Sequence, residues 1–524
     1  MKINKLILAY QNTVNKPLYS FISVSIVFFI FLPVVYVFGN LLFSGNLNEL
    51  INEINTNNFI LLAKSIFFSS IISLITTILG GVFAFILFKT KIKFHNIFII
   101  LILIPLFVSP YIWLVAWNDF LFITFGNSSK IPKELMYIFI LVSIYTPLAM
   151  LITGNALTNI NSNLEDAGLL ISSKTNIIGK IVIPLIKPAI ISSFILVFVF
   201  SISDFTVSAF LGIKLISNEI FTQFSAFYKH SFAVFQSVFV IAICFLLLSI
   251  EKKYISKANF ISVGTKGNLF KKYRIKNFGI YIPIIFWLII TILAPLFLLI
   301  YESIVIHTDV FLNTFNLLLQ AFVNTISLSL SSSIFITATS FILAVYTLKS
   351  KYNISVSVLF ITFVMPAIVL GISFIKFYNT TSLNFIYSSQ IILIIAYFAK
   401  FGFISVKIIQ NSLKQISPTL LETANIQGIT FKSQIIKILL PLSYKQISTS
   451  FIIIFIFIFS EMGISIMIYP PGTELLQVKI FTLSANSPLA VNSAMALWSF
   501  VFTIFATIIL LTSISLFTPK FDKK

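Results

Sequence analysis

The sequence predicts an all-α polytopic membrane protein in which about 12 transmembrane helices form two parallel six-helix repeats. Three observations predict it. Of 524 residues, 58% are hydrophobic and 10% charged, with mean hydropathy +1.05, which is more apolar surface than a water-soluble globule can hide. The apolar residues fall in continuous runs of about 20 or more, which must be helices because lipid offers the backbone no hydrogen-bond partner. Such runs do not suit the weak alternation of barrel strands. Finally, Glu165-Asp166-Ala167 and Glu422-Thr423-Ala424 stand 257 positions apart, each followed by a proline (Pro184, Pro441) nineteen positions after its glutamate.

Taken in order, the basic segment 1–16 leads into an apolar run at 18–43. That run is too long for a signal-peptide core and no small-residue cleavage site ends it, so it is expected to be an uncleaved first span. Further spans are expected at 60–88, 97–117, 136–157, 188–211 and 232–250, which complete a first set of six. The second set is expected at 278–300, 317–348, 356–377, 391–409, 442–469 and 489–517. Pro105, Pro110, Pro147 and Pro366 mark points where spans are expected to kink.

The formal charge of +20 does not indicate nucleic acid, because the lysines sit in short loops with no aromatic-interleaved basic domain. They report topology instead. Lys89, Lys91, Lys93, Lys349, Lys351, Lys520, Lys523 and Lys524 fall on one side, with the stretch 251–276 and its seven lysines, Lys266 among them, and Arg274. The opposite loops carry Glu49, Glu53, Glu302, Asp309 and Glu474 and few lysines. Both termini are therefore expected in the cytoplasm. Cys244 is a lone thiol in an apolar run, expected as a buried small hydrophobe. His95, His230 and His307 have no metal-ligand spacing, so no metal site is expected.

The basic stretch separates a first half, 1–250, from a second, 278–524, with 251–277 as a cytoplasmic linker. Lys89 matches Lys349 and Ala84 matches Ala344 at an offset of 260, while Asp204 falls on Glu461 at 257. All pairs run in the same chain direction, so the repeat is parallel and a pathway is expected between the halves.

In the second copy of the loop pattern, Ser417-Pro418 is a good helix start, serine accepting from a free N–H and proline losing nothing at the first position. Glu422 then falls in an early turn, where the helix dipole tolerates negative charge. Gly428-Ile429-Thr430 breaks the helix, and Pro441 opens the next span. The first copy offers Asn161, Ser162 and Asn163 as caps, then Glu165, and Pro184 before the fifth span. Two short helices at an angle, lying parallel to the membrane, are expected in each copy. An interfacial anchor would explain one such loop; two at equal spacing between spans read as docking elements for a cytoplasmic partner.

These residues resemble the EAA loop of binding-protein-dependent ABC importer permeases, in which glutamate, alanines, a later glycine and leucine-proline form the coupling helix received by the ATPase. Glu422, Ala424, Gly428 and Leu440-Pro441 match, with Thr423 replacing an alanine. Glu165, Ala167 and Pro184 match, but Asp166 replaces an alanine and Ile171 stands where the glycine would be, with Gly168 available for part of its role. The segments VSPYIWLVAW from Val108, FSISDFTVSAFLG from Phe200, SEMG around Glu461 and YPPGTELLQVKIFTL from Tyr469 are similar to fused, double-length permeases of ferric-iron importers. The resemblance implies a type I importer fold, a multi-pass location in the bacterial inner membrane, a cytoplasmic ABC ATPase dimer and an extracytoplasmic substrate-binding protein. No cofactor is expected in this chain: ATP would be used by the partner, since no GxxxxGK[ST] phosphate loop occurs here and the chain is not expected to be an enzyme.

Asp204 and Glu461 are carboxylates in or near the apolar layer, costly unless paired or hydrated. Either they cap span ends, or they face the space between the halves, where they attract a cation or close a gate. Lys64 and Lys400 read as snorkelling or structural charges. Ferric iron is the leading cargo, with thiamine, phosphonate, sulfate or polyamine as alternatives in the same class. An ion-coupled secondary transporter would share the parallel repeat but needs no docking loop. A membrane enzyme would need a clustered acid pair, which is not found.

Overall fold

The computed structural model describes residues 16–43, 47–53, 55–125, 132–160, 162–170, 172–254, 273, 278–347 and 354–517. Most of the linker placed at 251–277 lies outside them, as do Asn161, Ile171, Lys349, Lys351 and the C-terminal lysines. Among the described residues ten helices are long and apolar enough to cross a membrane, and two bent helix pairs bring the candidates to twelve.

The first repeat runs α1 (Ser20–Phe43), α2 (Thr56–Lys89), the pair α3 (His95–Phe107) and α4 (Pro110–Phe125), and α5 (Lys133–Thr158). Then come α6 (Ser162–Leu169), α7 (Ile178–Ile202), the short α8 (Thr206–Leu211) and α9 (Ile216–Ser225), and α10 (His230–Tyr254). The second repeat gives the same order: α11 (Gly279–Ile306), α12 (Thr308–Thr347), the pair α13 (Ile354–Val364) and α14 (Ala367–Tyr378), and α15 (Ile391–Leu413). It continues with α16 (Pro418–Ile426), α17 (Phe431–Ser460), α18 (Ser465–Ile468), α19 (Leu476–Ser484) and α20 (Leu489–Phe517).

Corresponding hydrogen bonds repeat as well. The Ile216 N–H donates to Ser65 Oγ at 3.0 Å, and the Leu476 N–H donates to Thr325 Oγ1 at 2.8 Å, each pair displaced by 260 positions. In both repeats a hydroxyl on the long second helix satisfies a free donor at the start of the second short helix after the fifth span, α9 or α19.

Proline shapes the spans in a regular way. Short π-helical turns at Val27–Phe31, Ile178–Val182, Ile289–Leu293 and Ile435–Leu439 each end two residues before a proline: Pro33, Pro184, Pro295 and Pro441. Proline lacks an N–H and crowds the carbonyl one turn back, and a widened turn relieves both. Pro110 and Pro366 instead stand at breaks, where α3–α4 bends by 92° and α13–α14 by 113°. At the second break, the buried Lys400 Nζ donates to Met365 O at 2.6 Å and Phe363 O at 3.3 Å, satisfying carbonyls that the bend has freed. Lys400 is thus structural, as expected.

The compact units do not follow the chain-order division into 1–250 and 278–524. One comprises Met1–Asn48, Leu318–Lys479 and Val501–Lys524; the other Glu49–Leu317 and Ile480–Phe500. The first helix of each repeat therefore packs with the core of the opposite repeat. In the first unit, Tyr378 Oη donates to Phe29 O at 2.7 Å and Ser355 Oγ to Ser23 Oγ at 2.8 Å. In the second, the Trp287 ring lies 5.7 Å from that of Phe83, and the Lys93 N–H donates to Tyr281 Oη at 3.0 Å. Within this unit α2 and α5 approach closely at Gly80, where a Cβ would meet Ala149 Cβ at 2.6 Å and Met150 N at 2.8 Å. Small residues permit such helix contacts in lipid, where burial alone does not drive association.

Candidate functional site

The second loop is built by α16 and the start of α17. Ser417 does not cap with its side chain, since its hydroxyl pairs with Thr419 Oγ1 at 2.6 Å while its carbonyl accepts from the Leu420 N–H at 3.1 Å. The helix ends in a Schellman turn: the Ile429 N–H donates to Ala424 O and the Gly428 N–H to Asn425 O, both at 3.0 Å. Gly428 takes φ +73°, which glycine adopts without the steric cost a side chain would bring. The turn is locked from the far side by Gln434, a residue the sequence did not single out, whose Nε2 donates to Asn425 Oδ1 at 2.6 Å and Ile429 O at 2.8 Å.

Leu421, Phe431 and Ile435 pack onto a cluster of Phe341, Ala344, Val345, Ile409, Leu413 and Leu439, which fixes the loop to the ends of α12 and α15. Ala424 is buried and Glu422 is exposed, so the alanine faces the protein and the carboxylate faces out. Residues 431–460 form one unbroken helical run through Pro441, not a separate short helix followed by a span.

The first loop solves the same problem differently. Glu165 is fully buried together with Lys89, with which it forms an ion pair. Tyr273 Oη donates to its other oxygen, Oε2, at 2.6 Å. The Tyr273 backbone is fixed too: its N–H donates to Lys89 O at 2.7 Å and its carbonyl accepts from the Lys91 N–H at 3.0 Å, forming a parallel bridge opposite Thr90. Burial, then the Glu165 carboxylate, raises the pKa of the Tyr273 hydroxyl, so it remains a donor. Asp166 and Ala167 are exposed. Gly168 does not turn the chain; it lets α6 lie close to Ile181, whose Cδ1 would be 2.8 Å from an added Cβ. Pro184 follows its π turn just as Pro441 does.

Asp204 and Glu461 lie beyond the ends of α7 and α17, not inside spans extending to 211 and 469. Apolar sequence continues past both turns, so hydropathy alone carries the span too far. Asp204 Oδ2 accepts from the Ser208 N–H at 3.3 Å, and its carbonyl accepts from Ser217 Oγ at 2.7 Å. Glu461 accepts from the Ile464 N–H at 2.7 Å, the Ser465 N–H at 3.1 Å and Ser465 Oγ at 2.7 Å. Both carboxylates serve free donors at the start of a short helix, α8 or α18. Reading the sequence overlooked a third buried acid, Asp119 on α4, which accepts from Ser493 Oγ. Its signal was available: one acid in an otherwise apolar run.

Residues 336–524 match a family described as binding-protein-dependent transport system inner membrane component. The matched stretch takes in the second loop, Glu461 and the last span. Among individual proteins, the chain is 26% identical over 209 residues to a protein of Haemophilus influenzae named provisionally as ferric transport system permease protein FbpB 1. It is also 26% identical over 210 residues to the ferric transport system permease protein FbpB of Actinobacillus pleuropneumoniae. These alignments use 36% of this chain and cover 32% and 30% of the two relatives, about a third of each. A crystal structure of a bacterial ABC transporter that imports the acidic polysaccharide alginate superposes with TM-score 0.40 at 17% identity, over 46% of this chain and 96% of that one.

Proposed function

We propose that the chain is the membrane permease of an ATP-driven importer, that its energy arrives through the loops around Glu165 and Glu422, and that its cargo is ferric iron. The observation that carries the coupling part is the second loop. A helix bearing an exposed Glu422 is anchored by Leu421 and Ala424 and stopped by the Gly428 turn, which suits a rigid element that transmits force. The ATPase dimer and the extracytoplasmic binding protein are separate partners in this reading. Both termini lie on the ATPase side, following the lysine distribution. Iron as cargo is supported by the names of the two relatives and by the repeated segments around Asp204 and Glu461. In this reading, the two carboxylates contribute to the pathway by shaping α8 and α18.

The test is radioactive iron uptake by iron-starved cells with the gene deleted and then restored, paired with copurification of the tagged chain. The expected result is loss of uptake, its restoration, and an ATPase and a binding protein in the purified complex. Unchanged uptake in a deletion strain that has no other iron importer would reject iron. In that case the ligand held by the copurified binding protein names the cargo. Absence of an ATPase from the complex would reject the coupling reading.

A further inference from the structure

The two glutamates of the repeated loop are equivalent in sequence and opposite in placement. Glu422 is exposed on α16. Glu165 is fully enclosed by its own chain. Its enclosure joins three parts of the protein: Lys89 at the end of α2, Glu165 on the first loop, and Tyr273 from the segment between the repeats. Tyr273 is held through both of its backbone groups by Lys89 and Lys91, so its hydroxyl reaches Glu165 from a fixed base. A charged residue withdrawn this completely is unavailable to a second protein, and the groups that neutralise it come from this chain alone.

We propose that Lys89 and Tyr273 are positioning residues for the first coupling loop, holding Glu165 inside so that Tyr273 fixes that loop against the end of α2. This rests on the reading of the loops as docking elements for an ATPase. It makes the two loops unequal: the second presents its glutamate to the partner, whereas the first uses its glutamate internally and presents the Asp166-Ala167 face. Tyr273, which lies between the repeats in sequence, is then part of the coupling apparatus.

The test uses the complete complex of permease, ATPase and binding protein reconstituted in lipid vesicles. Its readouts are membrane abundance, basal ATP hydrolysis, hydrolysis stimulated by the loaded binding protein, and cargo uptake per ATP. Tyr273→Phe keeps the ion pair and removes one hydrogen bond to a charged group. It is expected to leave abundance and basal hydrolysis unchanged and to lower uptake per ATP by about tenfold. Glu165→Lys alone should lose stimulation, and Lys89→Glu with Glu165→Lys should recover it to within about threefold, because the ion pair is rebuilt and the tyrosine hydroxyl can accept from lysine as readily as it donates to a carboxylate.

A swapped pair as defective as Glu165→Lys, at equal abundance, would overturn the proposal by showing that the partner itself requires a carboxylate at 165. Wild-type coupling in Tyr273→Phe would overturn it as well, and that variant decides the matter if Glu165→Lys fails to accumulate. Glu422→Lys serves as the separate control. Normal ATPase association and stimulation in that variant would reject the docking reading itself, whatever the swap shows.

Discussion

The Tyr273 hydroxyl donates to Glu165 Oε2 at 2.6 Å across 108 residues of chain, while Lys89 pairs with the other carboxylate oxygen. A hydrogen bond to an ionised acceptor at this length is of the charge-assisted kind, about twice as strong as a neutral one. With Lys89 and Tyr273 both engaged, neither oxygen of the buried carboxylate is left without a donor, which is the condition under which a buried ion pair is tolerated.

Charge reversal should therefore act differently at the two loop glutamates. Glu422→Lys changes an exposed side chain and should leave abundance and thermal stability near wild type while abolishing transport and ATPase copurification. Glu165→Lys places a second cation against Lys89 in a closed space, and disrupting a buried pair costs about 3–5 kcal/mol. Its first effect should be reduced abundance and a lower melting temperature in detergent. Equal thermal stability of the two variants would show that the Glu165 pocket is not closed in the membrane.

How far this was legible can be seen residue by residue. Gly428 could be read because the motif places a helix break there, and the break needs a conformation that costs other residues energy. The two loops carry matching local patterns, so nothing near Glu165 signals its burial. The deciding residues are Lys89, 76 positions earlier, and Tyr273, 108 positions later. Span existence was legible from continuous apolar runs. The ends of α7 and α17 were not, because hydropathy records how apolar a segment is and not its direction. The prolines marked both broken spans, but bends of 92° and 113° depend on what receives the freed carbonyls, as Lys400 does.

Gly428→Val should weaken coupling without removing the protein from the membrane. A side chain at φ +73° costs about 1–2 kcal/mol, and the Schellman bonds to Ala424 and Asn425 depend on that conformation. Gln434→Leu, which removes the lock on the same turn, should produce the same phenotype. Transport per ATP measures it, with a fall of about threefold to tenfold expected for each. If Gly428→Val transports normally, the turn does not transmit force.

The lysine asymmetry predicts the exposure of single cysteines. Replacements at Lys266 and Lys523 should react with a membrane-impermeant thiol reagent only after cells are opened, whereas one at Asn52 should react in intact spheroplasts. Cys244 is buried and should contribute little background. Labelling of position 266 from outside would invert the topology and place both loops on the wrong side for an ATPase.

Asp204 and Glu461 separate two ways of helping cargo across. If their negative charge attracts the cation, replacing both by amides should stop uptake. If their task is to hold the starts of α8 and α18, an amide oxygen keeps the Ser208 N–H bond at 204 and one of the two N–H bonds at 461, and much of the function should survive. The geometry favours the second outcome: Glu461 accepts from two backbone N–H groups and a serine hydroxyl, and Asp204 from the Ser208 N–H. Asp204→Asn with Glu461→Gln should thus retain iron uptake within about threefold of wild type. Asp204→Ala with Glu461→Ala loses the acceptors, at about 0.5–2 kcal/mol for each cap, and should lose most of it. Uptake abolished by the amide pair at normal abundance would assign the charge itself to the pathway. Full uptake in the alanine pair would remove both residues from it.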